Sequence, residues 1–366
     1  MMNKFENVSQ NFLVGLEKQN ISEPTEIQTL AIPQILENKN VLIESCTGSG
    51  KTLAFLVPLF EKIDTTKRQN QILIIAPTHE LVMQIHDQVK LLIKNSDSQI
   101  TSISLIGGTN INKQIENLKK NKPHIIVGSA GRVFELIQKK KVTAHTLTSV
   151  VIDEADNLLG KNQRKDILGI FKAVMRDTQK ILCTATLNKD LLKDAEEFLP
   201  NYVLLKTEVS VNRNIEHFTK VTDKRKKIDS LKTLINKENP ERALVFINNT
   251  HEVDVITEKL RFHNLSANAL SGSQTKQERS TALAQFRSGK ANILVSSDIS
   301  ARGLDIPEIT HIFNLDMPPQ ALDYVHRAGR TARGNNSGKA FSIITEQEQK
   351  IIKEYEKKLD IKFSSI

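Results

Sequence analysis

The chain contains no tryptophan, three tyrosines and two cysteines in 366 residues. Cys46 and Cys183 cannot supply a disulfide framework, and neither has metal-ligand spacing, so each reads as a small buried hydrophobe. So few large aromatics leave little material for a base-stacking platform, and a nucleic-acid partner is expected to be held mainly by its backbone. No apolar run approaches the ~18 residues of a membrane span. The start, Met1-Met2-Asn3-Lys4-Phe5-Glu6, lacks the apolar core of a signal peptide, and the expected location is the cytoplasm.

Positive charge, by contrast, is in excess. Fifty-one lysines and arginines against 42 acidic residues give a net charge of +9, which suggests a polyanionic partner. Hydrophobic content of 39% with 25% charged residues is ordinary for a globular protein. The length suits two domains of roughly 150–200 residues.

The most informative stretch is Ser45-Cys46-Thr47-Gly48-Ser49-Gly50-Lys51-Thr52. It follows the apolar run Val41-Leu42-Ile43, read as a strand, and opens into the apolar helix start Leu53-Ala54-Phe55. Strand, Gly-rich turn and helix form the context of a phosphate-binding loop, although Ser45 stands where the usual first glycine would be. Gly48 and Gly50 let backbone N–H groups turn onto phosphate oxygens, aided by the helix dipole. Lys51 can reach the β- and γ-phosphates, and the Thr52 hydroxyl can ligate Mg²⁺.

Short apolar strands then alternate with amphipathic helices: Ile72–Ala76, Ile103–Ile106, Ile125–Gly128, Val150–Ile152 and Lys180–Cys183. The pattern predicts a parallel sheet covered by helices on both faces, with ligands at the strands' carboxyl ends. There stands Asp153-Glu154-Ala155-Asp156, directly after Val150–Ile152. Beside a phosphate loop, Asp153 can hold Mg²⁺ largely through water, and Glu154 can orient or deprotonate an attacking water. Earlier, Phe5–Leu36 reads as helical, restarting at Pro24 with Thr25 as cap. Gln28 presents a planar donor–acceptor pair that matches the N6/N7 edge of adenine.

The sheet pattern stops around Leu205–His217, and residues 208–213 read as a linker between domains over 1–207 and 214–366. The second half is again α/β, with strands expected at Ala243–Ile247, Ala267–Leu270, Asn292–Val295 and His311–Phe313, and a final helix over Glu346–Lys358. It has no Gly-Lys-Thr. Instead Arg302, Arg327, Arg330 and Arg333 imply something negative at that end of the sheet. The economical geometry places ATP between the halves, with arginine fingers from the second.

With these motifs in order over nearly the whole chain, the sequence resembles the DEAD-box RNA helicases of superfamily 2, in their minimal two-domain bacterial form. Phe5 and Pro24–Gln28 resemble the adenine-reading Q motif, and Ser45–Thr52 motif I. Pro77-Thr78-His79 resembles motif Ia, Gly107-Gly108 the GG motif, and Ser129-Ala130-Gly131-Arg132 stands where motif Ib belongs. Asp153–Asp156 is the naming motif, and Thr184-Ala185-Thr186 looks like motif III. Val245–Asn248 resembles motif IV, Ser297–Asp305 motif V and His326–Arg333 motif VI.

The resemblance implies two tandem RecA-like domains that ATP, Mg²⁺ and RNA close together, bending one RNA strand so that a short duplex opens. It assigns adenine to Phe5, Thr25 and Gln28, the ribose to Asp305 beside Gly303, and the γ-phosphate to Arg330 and Arg333. It assigns coupling to Thr184, Ala185, Thr186, Asp156 and His326. It assigns RNA, as single strand or short duplex, to Pro77, Thr78, His79, Gly107, Gly108, Gly131, Arg132, Ser297, Asp298 and Arg302. Compact bacterial relatives often serve ribosome assembly, which suggests ribosomal-subunit precursors as the RNA; no oligomer is implied. His79 stands for an arginine, Ser129-Ala130 for Thr-Pro, Thr184 for a serine, Ser297 for a threonine, Lys276 for a glutamine and Ser271 for a histidine. Most of these departures lie on the RNA side or the coupling path, while the phosphate, magnesium and finger positions are intact. The alternative function is an ATP-gated RNA clamp or assembly factor with weak unwinding.

Overall fold

A computed structural model describes residues 5, 7–46, 48–160, 163–207, 211–298, 309–332 and 336–366. The chain divides into two compact units, Met1–Glu208 and Val209–Ile366. In the first, strands β1 (Val41–Glu44), β2 (Ile72–Ile75), β3 (Ser102–Leu105), β4 (Ile125–Gly128), β5 (Ser149–Ile152), β6 (Gln179–Thr184) and β7 (Val203–Lys206) form one sheet. Their order is β3-β4-β2-β5-β6-β1-β7, and every pairing is parallel.

The apolar runs explain why the sheet is covered on both faces. Val41 and Ile43 join Ile72, Ile74, Ile125, Val127, Val151 and Ile181 in one core. Their chain neighbours Leu42, Leu73, Ile75, Ile126, Val150, Ile152 and Leu182 form the other. Side chains alternate across a strand, so two buried faces demand an unbroken apolar run. At the outer position β3 the run gives way to Ser102-Ile103-Ser104, and at the other edge, β7, Leu204 is exposed.

The second unit repeats this plan. Strands β8 (Ile215–Val221), β9 (Ala243–Ile247), β10 (Ala267–Leu270), β11 (Ile293–Ser297), β12 (His311–Asn314), β13 (Gly338–Ile344) and β14 (Phe363–Ser365) lie in the order β10-β11-β9-β12-β13-β8-β14, all parallel. Adding seven to each strand number of the first sheet gives the second. β8 therefore occupies the place of β1, yet Thr222-Asp223-Lys224 follows it where a Gly-rich loop follows β1.

The α/β class is as expected, while several boundaries differ. Strands β7 and β8 bracket a shorter break than the one expected over Leu205–His217. Strands β13 and β14 were not expected at all. The amino-terminal segment folds as two helices, Gln10–Glu17 and Glu26–Leu36, and the last helix runs over Gln349–Leu359.

Candidate active site

The phosphate loop connects β1 to the helix Lys51–Glu61. Gly48 and Gly50 have φ of 85° and 95°, the left-handed region that glycine enters without steric cost. Gly50 is constrained twice, because a β-carbon there would stand 2.6 Å from Gln28 Nε2. That nitrogen donates to the Gly50 carbonyl at 3.1 Å, while Gln28 Oε1 accepts from Thr25 N–H at 3.0 Å. A primary amide has two hydrogens and two lone pairs, so these bonds use half its capacity. Phe5 is buried in the core beneath, among Phe12, Ile27 and their neighbours.

The Lys51 ammonium bonds the carbonyls of Ser45 at 2.5 Å and Cys46 at 2.7 Å. Ser49 Oγ also donates to Cys46 O, at 2.7 Å. Ser45 is tied down on both sides: its N–H donates to Thr184 O at 3.1 Å and its hydroxyl meets Thr207 Oγ1 at 2.7 Å. Burial lowers the Lys51 ammonium's hold on its proton, opposed chiefly by the charge of Asp153. Burial likewise raises the Asp153 carboxyl above its ordinary range, opposed by Lys51. The neighbouring thiols follow the same rule: burial raises Cys46, and it raises the fully buried Cys183 well above the usual value. Neither cysteine is a ready nucleophile.

Asp153 lies at the carboxyl end of β5, its N–H donating to Ile75 O at 2.9 Å. Its Oδ1 accepts from Glu154 N–H at 3.0 Å. Glu154 itself has φ 49° and ψ 53°, a left-handed conformation that costs a non-glycine residue about 1–2 kcal/mol. Such strain persists only where the surroundings enforce it, here a buried strand end and the short helix Ala155–Leu158. Asp156, on that helix, accepts from Thr184 Oγ1 at 2.9 Å. The Thr184 hydroxyl also lies 2.8 Å from Thr186 O and accepts from Thr186 N–H at 3.1 Å. Thr184 thus ties Asp156 to Thr186 by its side chain and the phosphate loop by its carbonyl.

The donor set fits Mg²⁺ brought in with a nucleotide. Among the described residues no three His, Cys, Asp or Glu side chains converge as a cage. Asp153 is a buried carboxylate at the end of β5, close enough to Lys51 to act on its charge, and Thr52 follows Lys51 in the first turn of the helix. Mg²⁺ is commonly held in this way, by one or two protein oxygens, water and substrate phosphates.

The loops expected to meet RNA follow β2, β3 and β4 at the same sheet edge. Pro77 and Thr78 precede the helix His79–Ser96, with Thr78 Oγ1 capping it by accepting from Leu81 N–H at 3.2 Å. A β-carbon on Gly107 would lie 3.7 Å from His79 Nε2, which brings the first two loops together. Gly108 has φ 67°. Gly131 opens the helix that follows β4, and a β-carbon there would meet Asp166 Oδ2 at 3.3 Å. Arg132 turns inward: its guanidinium bonds Thr109 O at 3.3 Å and Gln114 Oε1 at 3.0 Å and pairs with Glu135 at 3.3 Å. Its clearest effect is to brace the Gly107-Gly108 turn.

In the second unit, Arg327 is 1% exposed and its charge is met from within. It donates to both Asp298 oxygens, at 2.7 and 2.6 Å, to Asn248 Oδ1 and Asp316 O at 2.6 Å, and to Asn314 Oδ1 at 3.3 Å. The guanidinium also sits 5.1 Å from the Phe246 ring centroid. The negative group facing Arg327 is therefore Asp298, and the Asp298 carboxylate is engaged inside the fold. Ser297 and Arg330 are buried, and His326 is half-buried on the helix Ala321–Ala328. Thr47, Arg302, Gly303, Asp305 and Arg333 lie outside the described residues.

Sequence reasoning placed Asn248 in motif IV without giving it a role and missed Asn314 and Thr207, all three polar residues at or just beyond strand ends. The two asparagines at the ends of β9 and β12 were the available signal, since buried amides at strand ends need partners.

The DEAD/DEAH box helicase model matches residues 25–194, and the helicase conserved C-terminal domain model matches 226–335. DEAD-box ATP-dependent RNA helicase CshC of Bacillus cereus is 39% identical over 349 residues, covering 95% of this chain and 89% of the relative. CshA of Bacillus licheniformis is 36% identical over 351 residues, covering 95% and 72%. Among solved structures, S. cerevisiae Dbp5 bound to RNA and ADP BeF3 superposes with a TM-score of 0.85 at 25% identity, covering 100% of this chain and 95% of the other. A DEAD box protein from Methanococcus jannaschii gives 0.59 at 28% identity, covering 100% and 99%.

Proposed function

Because this chain belongs to the DEAD-box ATP-dependent RNA helicases, we propose that it couples RNA-stimulated ATP hydrolysis to the local opening of short duplexes or the remodelling of RNA–protein complexes. The observation that carries the proposal is the double attachment of Thr184. Its hydroxyl reaches Asp156 of the acidic tetrapeptide and its carbonyl holds Ser45 of the phosphate loop. Phosphate binding, water activation and the 184–186 segment therefore share one hydrogen-bonded frame.

On this reading the Lys51 ammonium exchanges the Ser45 and Cys46 carbonyls for the β- and γ-phosphates of ATP, while the loop amides around Gly48 and Gly50 take the remaining oxygens. Half of the Gln28 amide stays available for adenine. Glu154 orients the attacking water and accepts its proton as oxygen bonds to the γ-phosphorus and the β–γ bridge breaks. Mg²⁺, held by Thr52 and Asp153, would neutralise charge on the phosphates. Arg330 and Arg333 are assigned to the γ-phosphoryl group, which makes hydrolysis depend on the second unit.

The test measures turnover with and without single-stranded RNA, and unwinding of duplexes of about ten base pairs, roughly one helical turn. Glu154→Gln should retain ATP and RNA binding and lose turnover. RNA-stimulated turnover at the wild-type rate in that variant sinks the assignment. Crosslinking in cells, followed by sequencing of the bound RNA, tests whether ribosomal-subunit precursors are the substrate.

A further inference from the structure

A second basic site lies in the first unit, at the opposite end of β3 from the Gly107-Gly108 turn. The start of β3, the carboxyl half of the helix His79–Ser96, the loop before β2 and the end of the helix Ile111–Asn121 border an open, shallow recess of about 440 Å³. Arg68, Lys90 and Lys94 line it together with the neutral donors Thr101, Ser102 and Asn121, and no acidic residue does.

Two of the three cations are not spent on carboxylates, and the third is held only weakly. Among the described residues neither Arg68 nor Lys94 has a carboxylate within the 4.0 Å of an ion pair. Lys90 meets Asp87 at 3.2 Å, but both side chains are more than half exposed, so that pair is weak. Stabilisation of a helix end accounts for Lys94, which is in the last turn. It does not account for Arg68, which comes from a loop, nor for the convergence of all three on one hollow.

Position suggests the ligand. The helix His79–Ser96 begins beside Gly107 and ends at the recess. From His79 to Lys94 it rises about 22 Å at ~1.5 Å per residue. That distance matches about six to eight base-pair steps of a duplex, whose axial rise per phosphate on one strand is ~3.4 Å in B-form DNA and smaller in A-form RNA.

We propose that this recess binds the phosphate backbone of the RNA flanking the segment held at the Gly107-Gly108 turn, adding affinity for RNAs that extend about seven base pairs past the catalytic region. The proposal rests on the RNA-helicase reading above. It adds a site that tethers the enzyme to structured RNA without taking part in hydrolysis.

The test compares two RNAs by fluorescence anisotropy with the full chain and a non-hydrolysable ATP analogue: a single-stranded decamer, and the same decamer carrying a twelve-base-pair hairpin at one or the other end. The wild type should bind a hairpin-bearing RNA about tenfold more tightly, with a salt slope steeper by about 2 for two to three added phosphates at ~0.9 each. The charge-reversed variant R68E/K90E/K94E should lose that advantage and keep both its affinity for the decamer and its turnover at saturating decamer. The milder R68Q/K94Q should lose part of it, and R68K/K94R should retain it. As a second readout, 4-thiouridine in the hairpin should crosslink to the segment around Lys90 and Lys94. A wild type that gains nothing from either hairpin, or a gain that survives R68E/K90E/K94E, overturns the proposal. A chain that binds neither RNA overturns the helicase reading itself, and this site with it.

Discussion

Gln28 Nε2 donates to the Gly50 carbonyl at 3.1 Å, and no side chain larger than hydrogen fits on Gly50 without striking that nitrogen. The amide expected to read adenine thus also fixes the last turn of the phosphate loop. On that expectation, base recognition and phosphate geometry would be linked through one side chain.

Separating the two bonds of Gln28 tests that link. Gln28→Glu keeps an acceptor for Thr25 N–H and so preserves the start of its helix, but it removes the donor to Gly50. It should raise KM for ATP about tenfold or more, the equivalent of roughly 1.4 kcal/mol, and lower Tm, because a buried carboxylate then faces the Gly50 carbonyl. Gly50→Ala meets both the positive φ and the contact at 2.6 Å, and should weaken ATP binding more. Unchanged KM in Gln28→Glu would show that the loop holds its shape unaided.

The site was more legible than its supports. Apolar strands ending in Gly-Lys-Thr or in Asp153-Glu154 announce themselves, because buried parallel strands need unbroken apolar runs and the chemistry sits at their ends. Strand β8, Ile215-Glu216-His217-Phe218-Thr219-Lys220-Val221, carries polar residues throughout and was hidden by them. Side-chain commitments were also hidden. Nothing in the spacing of Arg132 or Asp298 says that one bonds Thr109 and the other Arg327, since those partners converge only through the sheet order.

Arg327 illustrates the consequence. Truncation to alanine strands Asp298, Asn248 and Asn314 around a cavity; breaking a buried ion pair by removing one partner costs about 3–5 kcal/mol, and the low end applies because Asp298 is 34% exposed. Denaturant unfolding of Arg327→Ala should show a loss of that order, located in the second unit. Arg327→Lys should recover only part, because a point charge cannot serve five acceptors in a planar fork. A double-mutant cycle with Asp298→Ala should show strong coupling. Additive effects would mean that the pair is incidental.

Thr184 separates chemistry from coupling. Thr184→Val keeps shape and burial but deprives Asp156 of its donor and Thr186 N–H of its acceptor. Lys51, Asp153 and Glu154 are untouched, so RNA-stimulated turnover should stay within about threefold. Duplex unwinding should fall by about tenfold, comparable with loss of one hydrogen bond to a charged group at ~1.5 kcal/mol. Thr184→Ser, which retains the hydroxyl, should keep both activities. Parallel loss of turnover and unwinding in Thr184→Val would reduce the residue to a structural prop for the phosphate loop.

Acid should destabilise both units through two buried histidines. His86 bonds Ser102 Oγ at 3.1 Å in the first unit, and His217 Nδ1 meets the Tyr324 hydroxyl at 2.6 Å in the second. Burial pushes each imidazole down to about 4; for His86 the charge of Lys90 adds to the effect. Burial pushes Tyr324 well above its ordinary value, so its hydroxyl keeps its proton, and the tautomer of His217 sets which of the two donates. The unfolded chain takes up these two protons near pH 6.5, whereas the folded chain resists until about pH 4. Between those values the unfolded state binds more protons, so stability rises with pH through the window, is complete above it, and is lost as pH falls. At pH 5 the loss should be about 2 kcal/mol per histidine relative to pH 7.5. Urea unfolding at the two pH values should show the drop in both units. His86→Gln should reduce it in the first unit, where buried His124 keeps a share, and His217→Gln should reduce it in the second, where His311 does. A pH dependence left unchanged by both substitutions would place the acid sensitivity elsewhere.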